Sequence, residues 1–204
     1  MTRKVYQDIS VLDAAKQRIS EAFDMFERLY LSFSGGKDST VLMHLVCQEA
    51  RRRGREVGIL VIDLEAQYSA TIEHINAMVD QYEDCIDLHW FCGELLLRNA
   101  VSDFEPKWVC WDEDKRDIWV RDKPEKAADL SQYDFYVPKM EFEELMEIFG
   151  PWYAGGKSCG AFVGIRSDES LNRYRAIVSD KTGLMMNGRK WTTRVAEQVY
   201  NVYP

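Results

Sequence analysis

The stretch Ser34-Gly35-Gly36-Lys37-Asp38-Ser39 joins a short β-prone run, Leu29–Phe33, to a helical pattern that begins at Thr40. Two adjacent glycines allow a tight turn in which several backbone N–H groups point toward one place. These amides and the positive end of the following helix form a cradle for an anion such as phosphate. The serines add hydroxyl donors, the lysine adds a positive charge, and the aspartate can hold Mg²⁺. A Gly-Gly pair on its own would equally fit a simple strand-to-helix turn.

Strand and helix patterns alternate on both sides of this loop. The run from Val57 to Ile62 is almost entirely apolar, which is typical of a strand buried on both faces of a parallel sheet. The alternation predicts a doubly wound, Rossmann-like α/β fold with a mostly parallel sheet and helices on both faces. The predicted elements are helix Val11–Leu29, strand Leu29–Phe33, helix Thr40–Arg52, strand Val57–Ile62, helix Ser69–Tyr82 and strand Cys85–Cys92.

The pattern changes between residues 94 and 138, where tryptophans stand among charged residues. We interpret this segment as an insertion or lid within a single domain that covers residues 1–204. After it, the sequence predicts a short helix, Glu141–Phe149, and a glycine-rich loop, Gly150–Gly160. A further strand, Ala161–Ile165, then leads into Arg166.

Composition narrows the class of protein. The chain has 204 residues, with 26 basic and 34 acidic side chains and a formal charge of −8. No apolar run approaches the roughly 20 residues of a membrane span, and the first residues lack the apolar core of a secretion signal. We therefore expect a cytoplasmic protein that does not act at a membrane. Residues 161–204 are nevertheless more basic than acidic, as suits an anionic ligand.

The five cysteines are scattered and never form a C-x-x-C pair. This spacing predicts reduced, buried thiols, with neither a zinc site nor an iron–sulfur cluster. Cys159 lies beside Lys157 in the predicted glycine loop and is the best candidate for an exposed thiol of lowered pKa.

Neither of the two glycine-lysine stretches is a Walker A loop, which requires G-x-x-x-x-G-K-[ST]. Leu31 occupies the first glycine position of the earlier stretch, and Asp38 replaces its Ser or Thr. In the later stretch, Gly155–Ser158, Pro151 occupies the first glycine position.

The 34–39 stretch resembles the PP-loop of ATP pyrophosphatases and of phosphoadenosine phosphosulfate (PAPS) reductases. The end of the next strand, with Asp63 and Glu65, resembles the place where that family contacts adenosine. Gly164-Ile165-Arg166, followed by Ser170 and Arg173, resembles a late family motif whose arginines bind phosphate or sulfate. The resemblance implies the adenine nucleotide alpha hydrolase type of fold, ATP or PAPS as ligand, and Mg²⁺ held by Asp38. The nucleotide-binding residues that it implies are Ser34, Gly35, Gly36, Lys37, Asp38, Ser39, Asp63, Glu65, Gly164, Arg166, Ser170 and Arg173, with Lys37, Asp38 and Arg166 as catalytic residues.

The segment from Leu97 to Arg121 resembles the IbrA-like branch of the PAPS reductase family, whose members are described as regulators. The chain departs from the reductases because it has no Glu-Cys-Gly-Leu-His segment, which supplies their nucleophilic thiolate. It also ends at Pro204, where the family's sequence normally continues, so we expect the C-terminal part of the family domain to be missing.

Three functions remain open on these patterns. The favoured one is cleavage of ATP between its α and β phosphates, with adenylyl transfer or release of pyrophosphate. The second is reduction of PAPS to sulfite by a thiol, and the third is a non-catalytic subunit that senses a nucleotide. A protein partner or a homo-oligomer fits the third function, and a nucleic-acid partner is conceivable for the first.

Overall fold

The structure is a computed structural model, and it describes residues 8–165, 175 and 185–204. The helices are α1 (Val11–Met25), α2 (Lys37–Arg53), α3 (Ser69–Tyr82) and α4 (Phe142–Ala154). The strands are β1 (Arg28–Ser32), β2 (Val57–Ile62), β3 (Ile86–Phe91), β4 (Leu95–Arg98), β5 (Lys107–Cys110), β6 (Met140–Glu141), β7 (Cys159–Phe162), β8 (Thr192–Ala196) and β9 (Val199–Val202). Short 3-10 helices cover Glu113–Ile118, Leu130–Gln132 and Met186–Gly188.

The main sheet has six strands in the order β3-β2-β1-β7-β9-β8. Its first five strands are parallel, and β8 runs antiparallel to β9 at the edge. The chain adds β2 and β3 on one side of β1 and later adds β7 on the other side. The predicted doubly wound α/β fold is confirmed, and its topological switch point lies between β1 and β7.

Helices cover both faces of this sheet. Tyr30 of β1 packs edge-on against Phe149 of α4, with ring centroids 5.2 Å apart. Tyr30 pairs with Ala161 in β7, so the next residue, Phe162, points to the opposite face. There its ring centroid lies 6.2 Å from that of Phe23 in α1. The core therefore consists of two apolar layers, one on each side of the sheet.

Strand β2 and helix α3 match their predicted bounds to the residue, whereas other boundaries differ. The predicted first helix, Val11–Leu29, is too long because α1 ends at Met25 and β1 already begins at Arg28. The predicted loop Gly150–Gly160 is wrong in its first half, since α4 continues to Ala154. A Cβ atom on Gly150 would lie 3.0 Å from Val199 Cγ1, so this glycine permits close packing of the helix on the sheet. Tertiary packing overrides the helix-breaking tendency of Gly150 and Pro151.

A second, small sheet joins two strands of the predicted insertion to β6, which lies just after the insertion. In this sheet β4 pairs antiparallel with β5 and parallel with β6, in the order β5-β4-β6. We predicted no strand in residues 94–138, because apolar runs of three or four residues are too short to reveal a period.

Across the described parts of the chain, no helix combines the length and apolar character that crossing a membrane demands.

Candidate functional site: the 34–39 loop at the switch point

The 34–39 loop leaves β1 at the switch point and enters the first turn of α2. Gly35 has φ +72°, a conformation that strains any residue with a side chain. A Cβ atom at Gly35 would also lie 2.9 Å from Ile75 Cγ1 and 3.0 Å from Thr71 Cγ2, both on α3. The first glycine is therefore required both by its backbone angle and by the close approach of α3.

The role of Gly35 in nucleotide binding can be tested with a matched control. We expect Gly35→Ala to weaken binding of ATP by at least about tenfold, since the loop must shift to relieve both the strain and the clash. Gly54 is the control, because it has φ +60° but nothing within 4 Å of the position of a Cβ atom. Gly54→Ala should lower thermal stability slightly and leave nucleotide affinity unchanged in calorimetry. Equal affinities for the two variants would contradict the predicted role of Gly35 in nucleotide binding.

Two serine hydroxyl groups form hydrogen bonds within the loop. Ser39 Oγ donates to the Gly36 carbonyl oxygen at 2.9 Å, and Ser34 Oγ lies 3.1 Å from Ser39 Oγ. Ser39 is buried, whereas Ser34 is exposed. The two serines thus link the start of the loop to the first turn of α2, and Ser34 faces the solvent side where a ligand would approach.

The segment after β7 lies directly on this loop. A Cβ atom at Gly164 would be 3.3 Å from both the N and the Cα atoms of Ser39. The structure therefore brings Gly164, chosen from the late motif, against the 34–39 loop, which is distant from it in the sequence. The other predicted residues of that motif, Arg166, Ser170 and Arg173, lie outside the described residues.

Lys37 and Asp38 form the first turn of α2, where backbone N–H groups lack partners within the helix. Lys37 is exposed and Asp38 is partly buried. In the described part of the chain, no cluster of three or more His, Cys, Asp or Glu side chains could hold a metal ion. A single carboxylate is nevertheless sufficient for Mg²⁺ that arrives with phosphate oxygens, which is its usual mode with nucleotides. Asp38 fits that role.

Asp63 and Glu65 follow β2, at the same edge of the sheet as the loop, but their carboxylates face the protein. Asp63 is fully buried and forms an ion pair with Arg121, and its second oxygen accepts a 3.1 Å hydrogen bond from Trp90 Nε1. Glu65 accepts a 2.7 Å hydrogen bond from the backbone N–H of Trp111. The structure thus gives both carboxylates a role in holding the insertion, and their contact with a nucleotide stays a prediction.

The backbone at this junction is unusual. Glu65 and Trp111 have φ angles of 65° and 54°, which non-glycine residues rarely adopt. The Trp111 Nε1–H donates to the Asp63 carbonyl at 2.7 Å, and the Arg121 guanidinium lies 5.0 Å from the Trp111 ring centroid. Sequence reasoning missed Arg121 and Trp111 as partners of the β2 end. Only the unusual density of tryptophans and charges in the insertion hinted at them.

Cys159 does not lie in a loop, contrary to its predicted place beside Lys157. It is the first residue of β7 and is fully buried. Burial raises the pKa of its thiol to about 12, the reverse of what an active thiolate needs. Burial likewise raises the pKa of the Cys110 thiol to about 11. All five cysteines are free and buried, as the sequence predicted.

Comparison with known proteins found a matching family and a similar protein. The family described as "Phosphoadenosine phosphosulfate reductase domain" matches residues 28–204. The "Uncharacterized protein YbdN" of Escherichia coli (strain K12) is 36% identical over 192 residues, which are 93% of this chain and 47% of YbdN. The chain thus spans about half the length of this curated relative.

Proposed function

The chain belongs to the phosphoadenosine phosphosulfate reductase domain family, and from that premise we propose that it binds an adenine nucleotide with its phosphates on the 34–39 loop. The observation that carries the proposal is the meeting of this loop with Gly164 at the switch point, where a Cβ atom would lie 3.3 Å from Ser39 N. Ligands of open parallel sheets bind in the crevice at such a point. The backbone amides and the positive end of the helix dipole at the N-terminus of α2 suit the negative charge of phosphate.

The reaction we propose is cleavage of ATP between its α and β phosphates. Lys37 would neutralise charge that develops on the departing pyrophosphate, and Asp38 would hold Mg²⁺ against the phosphate oxygens. Bound Mg²⁺ would supply further stabilisation of that charge. Arg166, which follows the segment that packs on the loop, completes the proposed set of charged groups. Positioning and electrostatic stabilisation carry most of the rate in this type of chemistry.

The test measures binding and turnover on the same preparation. Isothermal calorimetry with ATP, PAPS and adenosine shows whether the phosphates contribute to affinity, and a coupled assay measures pyrophosphate released from ATP with Mg²⁺ or Mn²⁺. We expect tighter binding of ATP than of adenosine and measurable release of pyrophosphate. Absence of pyrophosphate with both metals would refute the proposed reaction. Binding without turnover would instead favour a nucleotide-sensing subunit, as in the regulator-like IbrA branch.

Reduction of PAPS is a second candidate, which the name of the matching family favours. Because all five cysteines are buried, the reductant would be an external dithiol protein. Its thiolate would attack the sulfur atom of PAPS, and adenosine 3′,5′-bisphosphate would leave with the electrons of the broken S–O bond. Its second thiol would then displace sulfite from the S-sulfonate, so that the dithiol is oxidised to a disulfide.

The buried position of Cys159 makes a prediction for this candidate. We expect Cys159→Ala to leave the rate of sulfite formation from PAPS and a dithiol unchanged, because its buried thiol with a pKa of about 12 stays protonated at neutral pH. Sulfite is measured with a colour reagent that does not react with the dithiol, and PAPS binding is checked by calorimetry. Loss of sulfite formation with PAPS binding intact would show that Cys159 is the nucleophile after all.

A further inference from the structure

His74, a residue that the proposed reaction does not use, lies against the phosphate-binding loop. It is on α3, whose Thr71 and Ile75 fill the space beside Gly35. Its Nε2 atom is 2.8 Å from Thr40 Oγ1, and the same Thr40 Oγ1 is 2.9 Å from the Gly36 carbonyl oxygen. These contacts form a series of hydrogen bonds that runs from α3 through Thr40 to the loop.

Which group donates in each of these hydrogen bonds follows from the kinds of atoms that take part. A carbonyl oxygen can only accept, and a threonine hydroxyl has one proton to donate. Thr40 therefore donates that proton to Gly36, since an oxygen–oxygen contact of 2.9 Å without a proton would be repulsive. It follows that His74 Nε2 carries a hydrogen and donates to Thr40.

Gly36 is the loop residue whose carbonyl oxygen ends this series of hydrogen bonds. It is the N-cap of α2, with φ −77° and ψ 163°, and it has no side chain that could cap the helix. Its carbonyl oxygen accepts from the backbone N–H of Thr40 at 2.9 Å and also from the hydroxyls of Ser39 and Thr40. The orientation of the Gly36 carbonyl is thus fixed by three donors, one of which His74 holds in place.

The orientation of this carbonyl also sets the direction of an amide that faces the ligand. The Gly36 C=O and the Lys37 N–H belong to one trans peptide plane and point in opposite directions. When the carbonyl points toward the donors of α2, the Lys37 N–H is turned away from them, toward the anion cradle. Release of the carbonyl would let the whole peptide rotate, because glycine permits many backbone angles.

We propose that His74 is a positioning residue of the phosphate-binding loop, which through Thr40 and Gly36 aims the Lys37 amide at the nucleotide phosphates. The inference rests on the proposed nucleotide binding and adds a residue to it. His74 touches no phosphate in this scheme, so its effect is transmitted only through hydrogen bonds.

Binding measurements with paired variants test the proposal. His74→Leu should weaken ATP binding by about three- to tenfold, the usual effect of one lost neutral hydrogen bond, and should leave adenosine binding unchanged. His74→Gln keeps an N–H donor at a similar place and should restore ATP affinity. Thr40→Val should reproduce the loss, Thr40→Ser should not, and the His74→Leu/Thr40→Val double variant should be no weaker than either single variant. Equal losses for ATP and adenosine, or additive losses in the double variant, would overturn the proposal.

A second measurement on the ligand-free protein separates this inference from nucleotide binding. Nitrogen NMR should show His74 as the Nε2–H tautomer, and exchange of the Thr40 amide hydrogen should be about three- to tenfold faster in His74→Leu than in wild type or His74→Gln. An Nδ1–H tautomer or unchanged exchange would refute the role of His74. If the wild-type protein binds neither ATP nor PAPS, the proposed function fails, while the tautomer and the exchange rate still decide whether His74 positions the loop.

Discussion

Replacing Arg121 with leucine is expected to lower the free energy of unfolding by about 3–5 kcal/mol, because the substitution leaves a buried charge without its partner. That charge belongs to Asp63, which is fully buried, and the Arg121 side chain is itself only 18% exposed. Leucine also removes the cation that lies 5.0 Å from the Trp111 ring centroid. Urea denaturation followed by far-UV circular dichroism measures the change.

Two further variants show whether the buried charge is the cause. Arg116→Leu is the matched control, since this exposed arginine also lies over a tryptophan, 5.4 Å from the Trp119 centroid. It should lower stability by less than about 1 kcal/mol. The double variant Asp63→Asn/Arg121→Leu should regain part of the loss, because no unpaired charge is then left inside. A loss in Arg121→Leu no larger than that in Arg116→Leu would contradict this account of the junction.

Replacing Asp38 with alanine should reduce the release of pyrophosphate from ATP to background, a fall of at least about a hundredfold, if the proposed reaction is correct. Asp38 is in the first turn of α2, inside the loop that meets Gly164. Loss of its carboxylate removes the protein ligand of the Mg²⁺ that would neutralise the departing pyrophosphate. The coupled pyrophosphate assay with a titration of Mg²⁺ measures the effect.

Asp38→Asn and Asp103→Ala complete this experiment. The asparagine variant keeps one oxygen ligand, so it should retain partial activity and require more Mg²⁺. Asp103 is an exposed acidic residue in the connection between β4 and β5, and its replacement should change nothing. Wild-type activity in Asp38→Ala would remove this residue from the mechanism without touching the binding role of the glycines.

The fold could be predicted from the sequence wherever the deciding signal is local. The apolar run of β2 and the helical spacing of α3 gave bounds that the structure matches to the residue. Helix α4 was predicted too short because Gly150 and Pro151 disfavour a helix locally, whereas packing on Tyr30 and Val199 sustains it.

The residues of the candidate site likewise divide into those with a local sequence signal and those without one. The loop glycines could be chosen because they follow the predicted strand Leu29–Phe33, whereas Gly164, inside the predicted strand Ala161–Ile165, could be chosen only by its resemblance to the late family motif. By contrast, the partner of Asp63 is 58 residues away in an irregular segment, and no sequence period links the two. His74 carries no local signal either, since its proposed role depends on contact with Thr40, 34 residues earlier. Pairings between distant segments depend on the folded topology, which short-range patterns do not encode.

The junction between Asp63, Glu65, Trp111 and Arg121 also bears on how the chain unfolds. The ion pair and the hydrogen bonds of this junction connect the small sheet of the insertion to the end of β2 in the main sheet. Neither sheet can separate from the other without exposing the Asp63 carboxylate to a new environment. The two sheets are therefore expected to melt in one cooperative transition, with backbone amides of β4 exchanging their hydrogens as slowly as those of β2.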